Sequence, residues 1–312
     1  MKGLELSRNF YEGAGAPMLR KEFPELLERI AVGLAGEGSE CFGFDDALSA
    51  DHDFEPAFCL WLTDEDYERY GFRLEKAYAS LPAEWEGYRR QPLSAVGGSR
   101  HGVMRTSDFY RRFLGTPTSP ESEEQWLYLP SSSLACAAGG EIFRDDLGSF
   151  SAVRDRLREG YPMDIRLKKL AGHAVMAVQS GLYNYERCLR RCERGAAQLA
   201  VFEFVRHTVS MVYLLNNAYE PFYKWAYRGM RELPLLSWLE SPLVALTEMG
   251  NEPEEARAKA ESMEEIAASL CQALWEGGFC KENTGDLERQ AYALQDRIVS
   301  PSLRNMHVMA GV

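Results

Sequence analysis

The residue types best suited to chemistry in this chain lie between positions 38 and 53. Gly38-Ser39 closes an apolar helical pattern, eleven residues follow, and Asp51-His52-Asp53 then opens an apolar run over 54–62. On a β-strand successive side chains point to opposite faces, so Asp51 and Asp53 would project to one side and His52 to the other. Two carboxylates at that spacing make a hard-oxygen clamp of the kind Mg²⁺ needs when it also meets substrate phosphates. A glycine beside a small hydroxyl lets backbone N–H groups approach a phosphate closely. The chemistry these parts would perform together is metal-assisted transfer of a nucleotidyl group.

Gly-Ser, a spacer of about ten residues and Asp-x-Asp on a strand resembles the signature of the polymerase-β-like nucleotidyltransferase superfamily. The nearer likeness is to bacterial proteins that join this domain to a helical C-terminal domain, as in aminoglycoside nucleotidyltransferases. The wording around the core, with Gly43, Asp45, Asp46, Ser49 and Pro56, also resembles an uncharacterised bacterial subfamily. The resemblance implies an α+β chain. A nucleotidyltransferase-type mixed sheet with helices comes first, and an all-α helical bundle follows. It implies Asp51 and Asp53 as metal ligands, Gly38 and Ser39 at the terminal phosphates, and a third acid from a neighbouring strand. Mg²⁺ would be the cofactor, with a nucleoside triphosphate, ATP favoured, as the nucleotide substrate.

The rest of the chain must position those groups. Its 312 residues suit about two domains at the usual ~100–200 residues each. A hydrophobic content of 46% supports sizeable cores. No apolar run approaches the ~20 residues of a membrane span, and no signal peptide is evident. The seven cysteines form no metal-type pair, Cys188 and Cys192 one helical turn apart reading as neighbours on a packed face. This usage points to a reducing cytoplasm. The net charge of −12 argues against a general nucleic-acid binder. Residues 153–194 nonetheless carry ten Lys/Arg against five Asp/Glu, a basic strip that suits a polyanion or a solvated helix face.

Periodicity predicts helices over 4–36, with Pro24 at a helix start, and Gly36 to Ser39 ending the second helix and beginning the first core strand. Positions 51–62 read as the second strand, and Thr63 caps a helix running to about Ser80. A looser segment, rich in Gly, Ser and Arg, covers 87–100. A third strand is expected over 102–106, a helix capped by Ser107 to Leu114, a brief helix over 131–138 and a short strand over 141–145. Helix, Gly139-Gly140, strand and Asp in that order resemble the last strand of the superfamily's catalytic domain. From Tyr161-Pro162 onward the pattern is helical. The expected domains are therefore 1–160, nucleotidyltransferase-like, and 161–312, helical.

The third strand contains no acid before Asp108, so the third carboxylate is open among Asp108, Glu141 and Glu203. Asp108 also suits a helix start, where the dipole favours an acid. Glu203, one turn from His207 in an apolar helix, reads as a buried acid that needs a partner or a task. In the second domain, Gln179, Tyr183 and Arg187 recur at four-residue intervals, a polar, aromatic and basic stripe able to stack a base or grip a phosphate. Lys224, between Tyr223 and Trp225, reads as an enclosed cation. The expected site is thus Asp51, Asp53 and Asp108 for catalysis, and Gly38, Ser39, Tyr183, Arg187 and Lys224 for the nucleotide. The acceptor hydroxyl, on a small molecule or a protein, is not encoded legibly. A catalytically weak nucleotide-binding regulator and an antitoxin-like interaction protein are the alternatives. The composition points to no membrane partner and leaves oligomerisation open.

Overall fold

The computed structural model describes residues 1–51, 54–90 and 100–312, positions 50 and 51 by backbone alone. It is an α+β fold, and the chain divides into two compact units. Unit 1 comprises 1–120 and 132–159, and unit 2 comprises 121–131 and 160–312.

Unit 1 opens with α1 (Gly3–Phe10), a wide π turn (Tyr11–Gly15) and α2 (Ala16–Glu22). A single 3-10 turn, Pro24–Leu26, follows in place of the longer helix expected from Pro24. The first strand is β1 (Ala31–Leu34), which ends before the Gly-Ser pair instead of beginning there. Both its faces are buried, so it shows no alternation, and four apolar residues in a row read equally well as helix. Next come β2 (Cys59–Leu62), α3 (Asp64–Ala79), a hairpin of β3 (Glu84–Trp85) and β4 (Tyr88–Arg89), β5 (Gly102–Arg105) and α4 (Thr106–Leu114). Thr63 caps α3 as expected, its hydroxyl accepting from the Asp66 N–H at 3.2 Å. Ser107 does not cap α4: the cap position is Arg105, and the Ser107 hydroxyl donates to Asp64 at 2.5 Å.

The chain then visits unit 2 through α5 (Glu123–Tyr128), whose Glu123 carboxylate accepts from the Ser300 and Ser302 hydroxyls at 2.9 and 2.5 Å. It returns with α6 (Ser131–Ala138), β6 (Glu141–Asp145) and α7 (Ser149–Arg158). The four-stranded sheet runs β5-β2-β1-β6, with β1 antiparallel to both neighbours and β2 parallel to β5. Phe10, Leu19, Ile30, Val32, Phe58, Leu60 and Leu74 form the core under one face of the sheet.

Every strand among the described residues lies in unit 1. Unit 2 continues with α8 (Met163–Ala177), a π segment (Val178–Asn184), α9 (Tyr185–Arg190), α10 (Arg194–Leu215), α11 (Tyr223–Met230), α12 (Glu240–Glu248), α13 (Pro253–Glu276), α14 (Leu287–Asp296) and α15 (Pro301–Arg304). Helix α8 packs on α10 and α14. At Gly181 a Cβ would sit 2.4 Å from the Phe204 ring, so the glycine sets how closely the π segment and α10 approach. Two lysines are fully buried and hydrogen-bonded within unit 2. Lys168 donates to Gln295 Oε1 (3.0 Å) and to the Met306 and His307 carbonyls (3.1 and 2.7 Å). Lys259 donates to Gln198 Oε1 (2.7 Å) and Asn251 Oδ1 (3.0 Å). Among the described residues no helix is long and apolar enough to cross a membrane.

Candidate functional site

The Gly-Ser pair lies in a turn that the sheet holds from both sides. Leaving β1, the chain turns at Gly36 (φ +127°) and forms a 3-10 turn over Ser39–Phe42, closed by Gly43 in the left-handed region. Gly38 is buried, its carbonyl accepting from the Cys41 N–H at 3.0 Å. A Cβ at Gly38 would meet Glu40 Oε1 at 2.0 Å and Arg100 Nη2 at 2.4 Å. The glycine thus makes room for an ion pair, Arg100 to Glu40 at 3.2 Å, lying over the turn. Ser39 is half-buried, and its carbonyl accepts from the Phe44 N–H at 2.9 Å. From β6's side, the Gly140 N–H donates to the Cys41 carbonyl at 2.8 Å. Gly140 sits at φ +70° with the Leu34 carbonyl only 2.0 Å from where a Cβ would stand. The buried Arg154 guanidinium caps the Gly139 and Gly140 carbonyls.

A cavity of about 200 Å³ lies beside this turn, walled by the exit of β1, the start of β5 and α4. Its polar lining comprises Glu37, Glu40, Arg100, His101, Asp108 and Arg112, with Arg112 paired to Glu37. Arg100 and Arg112 were missed from sequence. Arg100 hid in a loose Gly/Ser/Arg segment and Arg112 in the amphipathic pattern of α4. Asp108 lines the cavity from the first turn of α4 but is largely exposed. It pairs with Arg105 at 3.6 Å and Arg111 at 3.2 Å.

The expected metal ligands fall mostly outside the description. Asp51 ends a 3-10 turn, Ala47–Asp51, and its carboxylate lies outside the described residues, as does all of Asp53. The second strand begins at Cys59, with non-strand backbone over 54–58, so the long strand from position 51 is not formed in its described part. Among the described residues no group of three or more His, Cys, Asp or Glu is placed to hold a metal. The nearby acids have structural partners. Asp45 accepts from the Gly3 N–H at 2.8 Å at the start of α1, and Asp46 accepts from the Leu48 and Ser49 N–H groups. Glu141 pairs with Arg8.

In unit 2, Tyr183 and Arg187 do come together, the guanidinium 6.0 Å from the ring centroid. Both are exposed, and the Tyr183 hydroxyl donates to Glu288 at 2.8 Å. Lys224 is on α11, exposed instead of enclosed, 5.3 Å from the Trp225 ring centroid. Glu203 is not the buried acid its setting suggested. The face of α10 carrying it turns outward, leaving its side chain 48% exposed and bonded to Arg206 at 2.7 Å. The buried member is His207, whose Nδ1 lies 2.8 Å from His173 Nδ1, with Arg206 Nη2 3.2 Å from its Nε2. Burial first, then the Arg206 charge, lowers His207 to about 4, and burial likewise holds His173 well below the usual histidine range. His173 borders a second cavity, of about 370 Å³, wholly within unit 2. All seven cysteines are free, and burial pushes the Cys59 thiol up to about 12.

Residues 126–226 match a family described as a domain of unknown function, DUF4037. No curated protein matches the chain. Among solved structures, a nucleotidyltransferase-like protein from Exiguobacterium sibiricum 255-15 aligns over 90% of this chain and 89% of that chain. The two are 11% identical, with a TM-score of 0.35.

Proposed function

We propose that unit 1 is a nucleotidyltransferase domain. It would act in the cytoplasm, moving a nucleoside monophosphate from a nucleoside triphosphate, ATP favoured, to a hydroxyl of an acceptor. The observation that carries this reading is the Gly38-Ser39 turn at the exit of β1, with the Arg100 guanidinium lying over it. A triphosphate seated there would exchange for Glu40 and Glu37 as the partner of Arg100 and Arg112. Planar guanidiniums already oriented by carboxylates suit that exchange, because carboxylate and phosphate offer similar bidentate geometry. Asp51 and Asp53 would hold Mg²⁺, which when bound neutralises phosphate charge and activates the attacking oxygen. Tyr183, Arg187 and Lys224 remain candidates for contacts to the base and outer phosphates.

One observation favours a second reading, a catalytically weak nucleotide-binding regulator. Asp108, the third acid nearest the cavity, is committed to Arg105 and Arg111 and is 60% exposed. A test separates the two. Binding of ATP with Mg²⁺ is measured for the wild type, for Arg100→Met and for Asp51→Asn with Asp53→Asn, alongside transfer of label from α-labelled ATP into a cell extract. A charge-assisted contact is worth about 1.5–3 kcal/mol, so Arg100→Met should weaken binding by roughly tenfold to a hundredfold. The double aspartate variant should abolish the Mg²⁺ dependence. Binding without transfer selects the regulator, and unchanged Mg–ATP affinity in both variants refutes the nucleotide site.

A further inference from the structure

The unit 2 cavity carries opposite charges that do not satisfy each other. Lys169 and His173 stand one turn apart on α8, and Ser210 faces them from α10. Glu220 lies in the segment after α10, its backbone N–H donating to the Ser131 hydroxyl at 2.7 Å. The Lys169 ammonium donates to the Gly311 carbonyl at 3.0 Å, which leaves two of its hydrogens for other acceptors. The Glu220 carboxylate receives the Ser210 hydroxyl at 2.5 Å. Burial works against both charges, lowering Lys169 to about 8 and raising Glu220. A charge held out of water without a counter-charge is a standing cost, relieved by a ligand that brings the counter-charge.

A histidine pair lies beside this pattern, with His173 in the cavity lining. His207 Nε2 lies 3.2 Å from Arg206 Nη2 and 3.4 Å from Glu203 Oε2, and its Nδ1 lies 2.8 Å from His173 Nδ1, so one of the two rings donates to the other. The cavity therefore offers a donor at Lys169, an acceptor at Glu220, and an apolar wall that includes Leu214, with the His173 ring also in its lining.

We propose that this cavity binds a free α-amino acid with an aliphatic side chain. Its carboxylate lies against Lys169, its ammonium against Glu220, and its side chain on the apolar wall. A volume of about 370 Å³ accommodates such a ligand, near the lower end of the ~300–1,000 Å³ usual for small-molecule sites. The ligand's carboxylate gives Lys169 a counter-charge, and its ammonium adds to the support that the Ser210 hydroxyl and the Arg206 charge give Glu220.

The test is calorimetric titration and thermal shift of the intact chain with millimolar leucine, isoleucine, valine and methionine. Two analogues of leucine with a single charge, 4-methylpentanoate and 3-methylbutylamine, serve as controls. At least one amino acid should bind saturably, and more tightly than either analogue by roughly tenfold or more, the size of one charge-assisted contact. Glu220→Gln should erase the preference for leucine over 4-methylpentanoate, and Lys169→Met the preference over 3-methylbutylamine. Should either variant fail to fold by circular dichroism, the wild-type comparison decides alone. Failure of all four amino acids to bind, or analogues that bind as tightly, overturns the proposal. The readout is independent of nucleotide binding in unit 1.

Discussion

Acid should weaken this protein through one buried ring. In the folded chain His207 is fully buried and titrates at about 4, whereas an unfolded histidine titrates near 6.5. The folded pKa is depressed, so between those values the unfolded chain takes up a proton that the folded chain refuses. Stability therefore falls as pH falls through about 6.5, and the loss levels off below about 4. Linkage between pKa values of about 6.5 and 4 gives a loss of about 2 kcal/mol at pH 5 relative to pH 7.5. Raising the folded value by a unit changes that to only about 1.6 kcal/mol, because at pH 5 the unfolded state dominates the difference. His173, shifted in the same direction, adds to the effect. At ~2–4 °C per kcal/mol for a domain of this size, the melting temperature should drop by about 4–8 °C from this residue alone. His207→Gln keeps a polar side chain of similar reach but cannot titrate. Melting curves of both proteins from pH 7.5 to pH 5, subtracted to cancel the carboxylates, should show the variant losing about 2 kcal/mol less. Parallel curves for wild type and variant would refute the argument.

Two further substitutions test the packing. Gly140→Ala should destabilise unit 1 by roughly 3 kcal/mol or more, since its φ is positive and its Cβ meets backbone at Leu34 and Ala35. Gly43→Ala, at a similar φ but with nothing within 4 Å, should cost only about 1–2 kcal/mol in the same urea titration; equal losses would remove the close approach. Lys168→Met strands three acceptors and should cost about 2–4 kcal/mol in unit 2, offset in part by relief of the buried charge. A Lys168→Met chain as stable as the wild type in urea would show that this lysine ties nothing down.

What the sequence made legible was the set of elements with strong punctuation. Thr63 before α3 and the Gly139-Gly140 break before β6 each carry a local physical signal, and each stands where it was read. Elements defined by tertiary burial were not legible. β1 is apolar on both faces, and β2 is four residues at the end of a nine-residue apolar run, so periodicity could neither type the first nor bound the second. The β3–β4 hairpin escaped because its turn is Glu86-Gly87, with a positive φ on a glutamate that no composition rule anticipates. At the cavity, the Gly-Ser turn was visible because glycine marks close approach. The arginines that line it were not, since a guanidinium's partner lies tens of residues away. Glu203 and His207 were recognised as a pair, but which of them faces inward depends on the rotation of α10, set by Phe204 and Val205 beside them.

The excursion of α5 out of unit 1 governs how this chain can be cut and how it is made. A fragment ending near residue 160 would carry Trp126 and Leu127 without the helices that cover them, and a fragment beginning there would lack the strip bonded to Ser300 and Ser302. Dissection calls for a short linker in place of 121–131, not a single truncation. During synthesis unit 1 can close once residue 159 has left the ribosome. Helix α5, emerging earlier, must wait as an apolar side loop until α8 and the segment around residue 300 arrive. That interval is when a nascent chain of this protein most needs a chaperone, and a pause in translation after α7 would lengthen it.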